Sequence, residues 1–443
     1  MLRSIERSTW NLNRLCGRQI DRFAGIHYPA LGRFRAPDNP RQMPNLAHAE
    51  PTRNAEPLPR YASVRDLIEK LRPALPVYAL FPNAFRSAAQ TFIEGFPGDT
   101  MYAVKANHAH PVLDQLYAAG ICHFDVASLA EVRLIRERFP DAKLSFMAPV
   151  RIRGAAGEAF RKFGVRDFAL DSEDELATIL TETGARETPS IARQLTLYVR
   201  LQVPADGALL ELASKFGVGT SAAADLLRDI AAAGAKPGLT FHVGSQCLHP
   251  RSFKTALKRC GEALKHAGVQ LATLDVGGGF PGYYLNVTVP PLDEYFAAIR
   301  EGVAALKLPK DCAVYCEPGR GLVADGLSVI TQVLLRRDHT IYINDGIYGS
   351  LNEYALPNWP VRYPLKVYTE SAGRILEKSS RITSFKAFGP TCDTLDVLHY
   401  QIELPDTVAT GDWIEFQQLG AYSCALRTGF NGFHPDTFVE IRT

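Results

Sequence analysis

Short apolar runs of strand length recur along the middle of the chain, separated by stretches long enough for a helix. The first is Met101-Tyr-Ala-Val-Lys-Ala-Asn107, with Lys105 near its end. The others are His123–Val126, Leu144–Met147, Asp167–Leu170, Leu195–Val199, Leu239–His242, Thr273–Val276 and Ala313–Cys316. Helical stretches such as Ala130–Phe139 and Glu173–Thr183 lie between them. Eight alternations of strand and helix predict an α/β fold, a (β/α)8 barrel over residues 80–325. Beyond it the pattern changes to β-type runs at Leu327–Arg336, Thr340–Asn344, Leu365–Thr369, Trp413–Phe416 and Thr437–Ile441, punctuated by Gly, Pro, Asn and Asp. That predicts a C-terminal β-sandwich or β-barrel domain over 326–443, to which residues 61–79 contribute a strand through Leu75–Leu80.

Residues 1–60 hold ten arginines, no lysine and five acidic residues, and read as an irregular Arg-rich arm. An Arg-rich start also suits an organelle transit peptide, but the acidic residues and the lack of amphipathic periodicity weigh against it. The 443 residues are 46% hydrophobic and 22% charged, with a net charge of +2, so no field favours nucleic acid. No apolar run approaches the roughly 20 residues of a membrane span. Eight cysteines lack metal-ligand spacing, so no metal is expected, and they suit a reducing cytoplasm.

In a (β/α)8 barrel the chemistry gathers where strands end. Lys105, between Val104 and Ala106, is expected to be partly desolvated, which lowers an ammonium pKa and frees the amine for a Schiff base. Asp275-Val-Gly-Gly-Gly-Phe-Pro-Gly282 and Cys316-Glu-Pro-Gly-Arg-Gly321 follow the seventh and eighth strands. Such glycine-rich turns let backbone N–H groups close on a phosphate, and Arg320 offers a guanidinium to it. Glu317 beside a phosphate needs a cation, which a protonated pyridine nitrogen supplies. His242 has a flat face to stack on such a ring, and Ser245 a hydroxyl for phosphate. The set points to pyridoxal 5′-phosphate (PLP).

With these motifs in order, residues 60–443 resemble the fold-type III PLP-dependent decarboxylases, the ornithine/lysine, diaminopimelate and arginine decarboxylase group. The matching positions are Tyr102-Ala-Val-Lys-Ala, Phe124-Asp-Val-Ala-Ser with Glu131, Arg200, Ser214-Lys-Phe-Gly217, His242-Val-Gly-Ser245, Gly277, Gly278 and Gly279, Glu317-Pro-Gly-Arg320 including Gly319, Gly389-Pro-Thr-Cys-Asp393 and Gly420-Ala-Tyr422. The resemblance implies that Lys105 carries PLP, that Asp125, Glu131 and Arg200 shape the electrostatics around it, and that Cys392 returns a proton to Cα. Thr-Cys-Asp, rather than the Cys-Glu-Ser of the diaminopimelate branch, implies that Asp393 binds the distal ammonium of ornithine or lysine. It also implies a head-to-tail homodimer in which Cys392, Asp393 and Tyr422 reach the partner's barrel and Lys215 pairs with Asp396 across the interface. One departure stands out: where the ornithine branch supplies a second acid for the distal amine, this chain has Leu351-Asn-Glu-Tyr-Ala355. Glu353 is the expected substitute. The implied activity is decarboxylation of L-ornithine to putrescine in polyamine biosynthesis, with lysine or a related diamino acid as the alternative. An amino-acid racemase or a non-catalytic decarboxylase-like regulator are the rivals. A racemase does not need Cys392-Asp393, and a regulator need not keep the lysine, the cysteine and the glycines together.

Overall fold

A computed structural model describes residues 57–442 apart from Ala213, so the N-terminal arm read from residues 1–60 lies almost wholly outside the described residues. Eight parallel strands close into a barrel: Asp99–Ala103, interrupted at Met101, then His123–Val126, Lys143–Phe146, Asp167–Leu170, Thr196–Arg200, Lys236–Thr240, Thr273–Asp275 and Ala313–Cys316. The interruption lets the first strand serve both seams, Thr100 opposite Cys316 and Tyr102 opposite Phe124. Helices cover the outside. Leu129–Arg138 starts where Ser128 Oγ accepts the Glu131 N–H, and Glu173–Thr183 where Ser172 Oγ accepts that of Glu175. Gly184, at φ +81°, ends the latter.

Two elements stop earlier than the apolar pattern implied. The first strand turns into a 3-10 helix, Val104–Ala106, which puts Lys105 on a turn. The sixth strand ends at Thr240, whose side chain donates to Asp275 on the neighbouring strand. His242 therefore sits two residues past the ladder.

The remaining residues form a mixed sheet. Its path runs Arg60–Tyr61, Thr437–Ile441, Val77–Leu80, Leu327–Arg337, Thr340–Ile343, Ile382–Phe388 and Ile402–Pro405. Leu327–Arg337 also pairs with Trp413–Phe416, which continues the sheet to Leu365–Ser371 and Arg374–Glu377. The chain leaves the barrel through the short helix Arg320–Val323 and the 3-10 turn Ala324–Gly326 into Leu327–Arg337, so the eighth barrel strand and the β domain share the glycine-rich connection.

Polar residues occupy part of the barrel interior. His123 Nε2 lies 2.8 Å from Ser145 Oγ, which donates to Asp167 Oδ2 at 3.0 Å. Lys143 Nζ donates to Tyr315 OH at 2.9 Å and stands 3.5 Å from Asp167 Oδ2. Burial, helped by Lys143, holds the His123 ring well below the ordinary histidine pKa, so it stays neutral. Ser145 bridges two buried groups that have no apolar substitute. Ser145→Ala is expected to destabilise the protein by about 1–3 kcal/mol, read from urea unfolding; a change below about 0.5 kcal/mol would show that the bridge is dispensable.

Candidate active site

Lys105 Nζ donates to Asp125 Oδ2 at 2.7 Å, across adjacent barrel strands. Its side chain is 40% exposed at the mouth, whereas Asp125 is buried. The expected lowering of the Lys105 pKa does not occur. Burial pulls it down, but the carboxylates of Asp125 and Glu317 outweigh burial and raise it above the ordinary lysine value. With nothing bound, the amine is a charged ammonium.

Glu317 is buried at the end of the eighth strand, and its Oε1 has no hydrogen-bond partner. Beside it stands Asp275, whose Oδ1 accepts the Gly277 N–H at 2.9 Å and whose Oδ2 accepts Thr240 Oγ1 at 2.6 Å. Burial, then the charges of Asp275 and Asp125, raise the Glu317 pKa well above the glutamate range, so one proton is shared in this corner. Asp275 has no role in the sequence reading, although an acid two residues ahead of a glycine run at a strand end was there to be seen.

His242 Nδ1 accepts the Gly244 N–H at 3.0 Å, so the proton of its neutral ring belongs on Nε2. Burial, then Arg200 and Lys105, hold its pKa well below the ordinary value. Arg200 ends the fifth strand, and Ser245 is buried in the short strand Ser245–Cys247. The glycines are required by space. A Cβ on Gly277, at φ +65°, would lie 1.7 Å from Phe241 O, and one on Gly278 would lie 2.8 Å from both Glu317 O and His242 Nε2. The backbone here approaches the site more closely than any side chain allows. Glu131 caps its own helix, with Oε2 accepting the Ala127 N–H at 2.7 Å.

Two expectations need correction, those for Glu353 and Arg320, and two inter-chain ones meet contacts within this chain. Tyr422 lies beside its own Arg320. The Tyr422 N–H donates to Ala106 O at 2.8 Å and Asn107 Nδ2 donates to Gly420 O at 2.8 Å, which stitches the Gly420–Tyr422 turn beside its own Lys105. Asp396 is already hydrogen-bonded within its own chain. It is buried and accepts from the Ile347 N–H and from both N–H and Oγ1 of Thr391, while Lys215 lies over the Phe216 ring. Glu353 is not open to a substrate amine, and the terminal nitrogens of Arg320 are not open to phosphate, because the two pair with each other. Arg320 Nη2 donates to Glu353 Oε1 at 2.6 Å and Nη1 to Oε2 at 3.0 Å, with both side chains buried. Tyr284, Trp359 and Tyr363 wall this pair; no local signal marked them.

Cys392 and Asp393 lie on the β domain. Cys392 is exposed, with its N–H donating to Asn431 Oδ1 at 3.0 Å. Asp393 accepts a short hydrogen bond from Tyr348 OH, and this, with the Leu395 N–H, holds its pKa below the usual carboxylate value. No hydrogen bond or ion pair among the described residues joins either of them to Lys105, Asp125 or Glu317.

The mouth thus combines an amine, a buried carboxyl with a vacant oxygen, and a glycine cradle. Residues 80–324 match the pyridoxal binding domain of the pyridoxal-dependent decarboxylases, and residues 322–420 match their C-terminal sheet domain. The chain belongs to the pyridoxal-dependent decarboxylase family. It is 32% identical over 346 residues to a lysine/ornithine decarboxylase of Selenomonas ruminantium, covering 75% of this chain and 81% of that one. Among solved structures, the lysine/ornithine decarboxylase of Vibrio vulnificus complexed with cadaverine aligns with a TM-score of 0.71 at 26% identity, over 86% of this chain and 98% of that one. SrLDC in complex with PLP and cadaverine aligns with a TM-score of 0.71 at 25% identity, over 85% and 93%. The protein is therefore a PLP-dependent carboxy-lyase of the fold-type III architecture. The site fits that cofactor by its own chemistry. Glu317 Oε1 and Arg320 Nε are buried polar atoms without partners, and they suit a ring N–H and a phosphate oxygen.

A carboxyl whose folded pKa is raised contributes stability that is complete below its ordinary value and is lost as pH rises through the raised one. The cofactor-free decarboxylase is therefore expected to lose stability as pH climbs above the ordinary glutamate value of 4.5, and Glu317→Gln is expected to remove most of that loss. Urea midpoints of the two proteins at about pH 5 and about pH 8 check this; parallel profiles would count against a protonated Glu317.

Proposed function

We propose that the protein decarboxylates a basic amino acid, L-ornithine to putrescine in polyamine biosynthesis, as a homodimer in the cytoplasm. The observation that carries the substrate class is the Cys392-Asp393 pair: a thiol and an ionised carboxylate side by side on a protein surface. The carboxylate complements a distal ammonium, and the thiol supplies a proton. Both lie on the β domain while the amine lies in the barrel, which supports a site completed by a second copy. Exposed Leu395, Leu426, Phe430 and Phe433 on the same domain are apolar surface that a second copy would cover. The described cysteines are all unpaired, which suits a reducing compartment. Among the described residues no helix is long and apolar enough to cross a membrane.

When bound, PLP supplies the electron sink for the pair released as the carboxylate leaves. Lys105 would hold it through its amine. Glu317 keeps a proton between its Oε1 and the ring nitrogen. His242 offers a neutral face. Ser245, the N–H groups of Gly278, Gly279 and Gly319, and Arg320 through Nε would bind phosphate oxygens, with Tyr422 against the arginine. Asp125 holds the charge near Lys105 in balance, with Arg200 nearby. Cys392 of the second copy returns a proton to Cα, and Asp393 of that copy receives the distal ammonium.

A specific observation favours a second reading, lysine to cadaverine. Glu353 is withdrawn onto Arg320, so it does not shorten the distal pocket, and one of the aligned relatives carries both activities in its name. The ratio of kcat/KM for ornithine and lysine decides between them.

Lys105→Ala is expected to abolish CO2 release, and full residual activity would sink the reading. A mixture of inactive Lys105→Ala and Cys392→Ala chains is expected to recover about a quarter of wild-type activity, because half of a random mixture is heterodimer with one intact site each. No recovery, with dimers present by light scattering, would show that the site is not shared.

A further inference from the structure

Arg320 lies on the eighth-strand turn next to Gly319, and its guanidinium is the cation of the phosphate end. Its fork is already occupied. Nη1 and Nη2 both go to Glu353, and Nη1 also donates to Tyr284 OH at 2.8 Å. Glu353 Oε2 takes a further hydrogen bond from Tyr363 OH at 2.5 Å. The guanidinium carbon lies 4.6 Å from the Trp359 ring centre and 4.9 Å from that of Tyr422, so aromatic walls close both sides. Only Nε remains without a partner.

A phosphate approaching this arginine meets a cation whose charge is already balanced. It can use one N–H where a free guanidinium would present a bidentate edge, and it comes within range of the Glu353 carboxylate. In a buried setting, a like charge several ångströms away is worth about tenfold in affinity or more. The same carboxylate keeps the arginine satisfied when no phosphate is present, since a buried guanidinium without a counter-ion is costly.

We propose that Glu353 is an internal counter-anion for Arg320: it occupies the guanidinium fork, holds the arginine in place before the cofactor arrives, and sets a ceiling on how tightly the site grips the cofactor's phosphate. This rests on the PLP reading above. It assigns Glu353 to cofactor affinity instead of to the substrate amine.

The test is Glu353→Gln in the full-length protein, freed of cofactor and titrated with PLP by quenching of tryptophan fluorescence. Pyridoxal, which lacks the phosphate, is the control ligand. The variant is expected to bind PLP about tenfold more tightly, to bind pyridoxal as the parent does, and to melt at a lower temperature without ligand but rise further when PLP is added. Weaker PLP binding would mean that Glu353 only orients Arg320, and overturns the proposal. Unchanged PLP affinity with a raised KM for the diamino acid would return Glu353 to the substrate, and also overturns it. Should the glutamine variant not fold, Glu353→Asp, which keeps the charge but shortens its reach, is expected to tighten PLP binding in the same direction by less, and weakening there overturns the proposal equally. A parent protein that binds no PLP at all would instead fail the cofactor reading.

Discussion

One ammonium faces an excess of buried negative charge, and the rest of the site follows from that imbalance. Lys105 is paired with Asp125, while Glu317 and Asp275 stand behind them with a single proton to share. Three carboxyls around one amine are tolerable only if a proton stays bound or another cation enters. A ring carrying a protonated nitrogen is such a cation. The opposite end of the mouth has the reverse character, with backbone N–H groups of the glycine turns and the buried arginine. The site is polarised along its length, acidic at one end and donor-rich at the other, and suits a ligand that is cationic at its ring and anionic at its phosphate.

The barrel does not build this site alone. The Lys105 turn is held from the β domain, where Asn107 bonds the carbonyl of Gly420 and the Tyr422 amide bonds Ala106. Cys424 adds a contact from its thiol to Asn107 Oδ1 at 3.2 Å. Arg320 is fixed by Glu353, Tyr363 and Trp359, all beyond the barrel strands. The chain passes from the eighth strand through Arg320–Val323 and Ala324–Gly326 into the longest strand of the sheet, so the phosphate end lies on the connection between the two domains.

The loop bearing Cys392 and Asp393 is likewise tied by hydrogen bonds. Asp396 fills its oxygens with donors from Thr391 and Ile347, which ties the 391–396 loop to the segment carrying Tyr348. Tyr348 then bonds Asp393. A buried carboxylate in such a loop is stable only when hydrogen-bonded, and its three donors here come from its own chain.

The strand–helix alternation, the Lys105 turn and the two glycine-rich connections are local in sequence, and each carries its own physical signature. Periodicity marks the strands, and a glycine run after a strand marks a close backbone approach. Those features sufficed for the barrel, the sheet domain and the PLP chemistry. Strands such as Ile382–Phe388 and Ile402–Pro405 escaped because their alternation is broken by exposed or small residues, and the sheet decides them through pairing. Charge partners were the least legible. Arg320 and Glu353 are separated by a strand and a loop, and Asp396 and Tyr422 each looked available for a partner chain. Whether a charged side chain is free depends on which donors the folded chain brings to it, and burial makes that choice nearly absolute. The sequence by itself determined which chemical groups this protein possesses and in what architecture; only the tertiary structure decided which of them are already spent on one another, because pairing is a property of distance in space and leaves no trace in spacing along the chain.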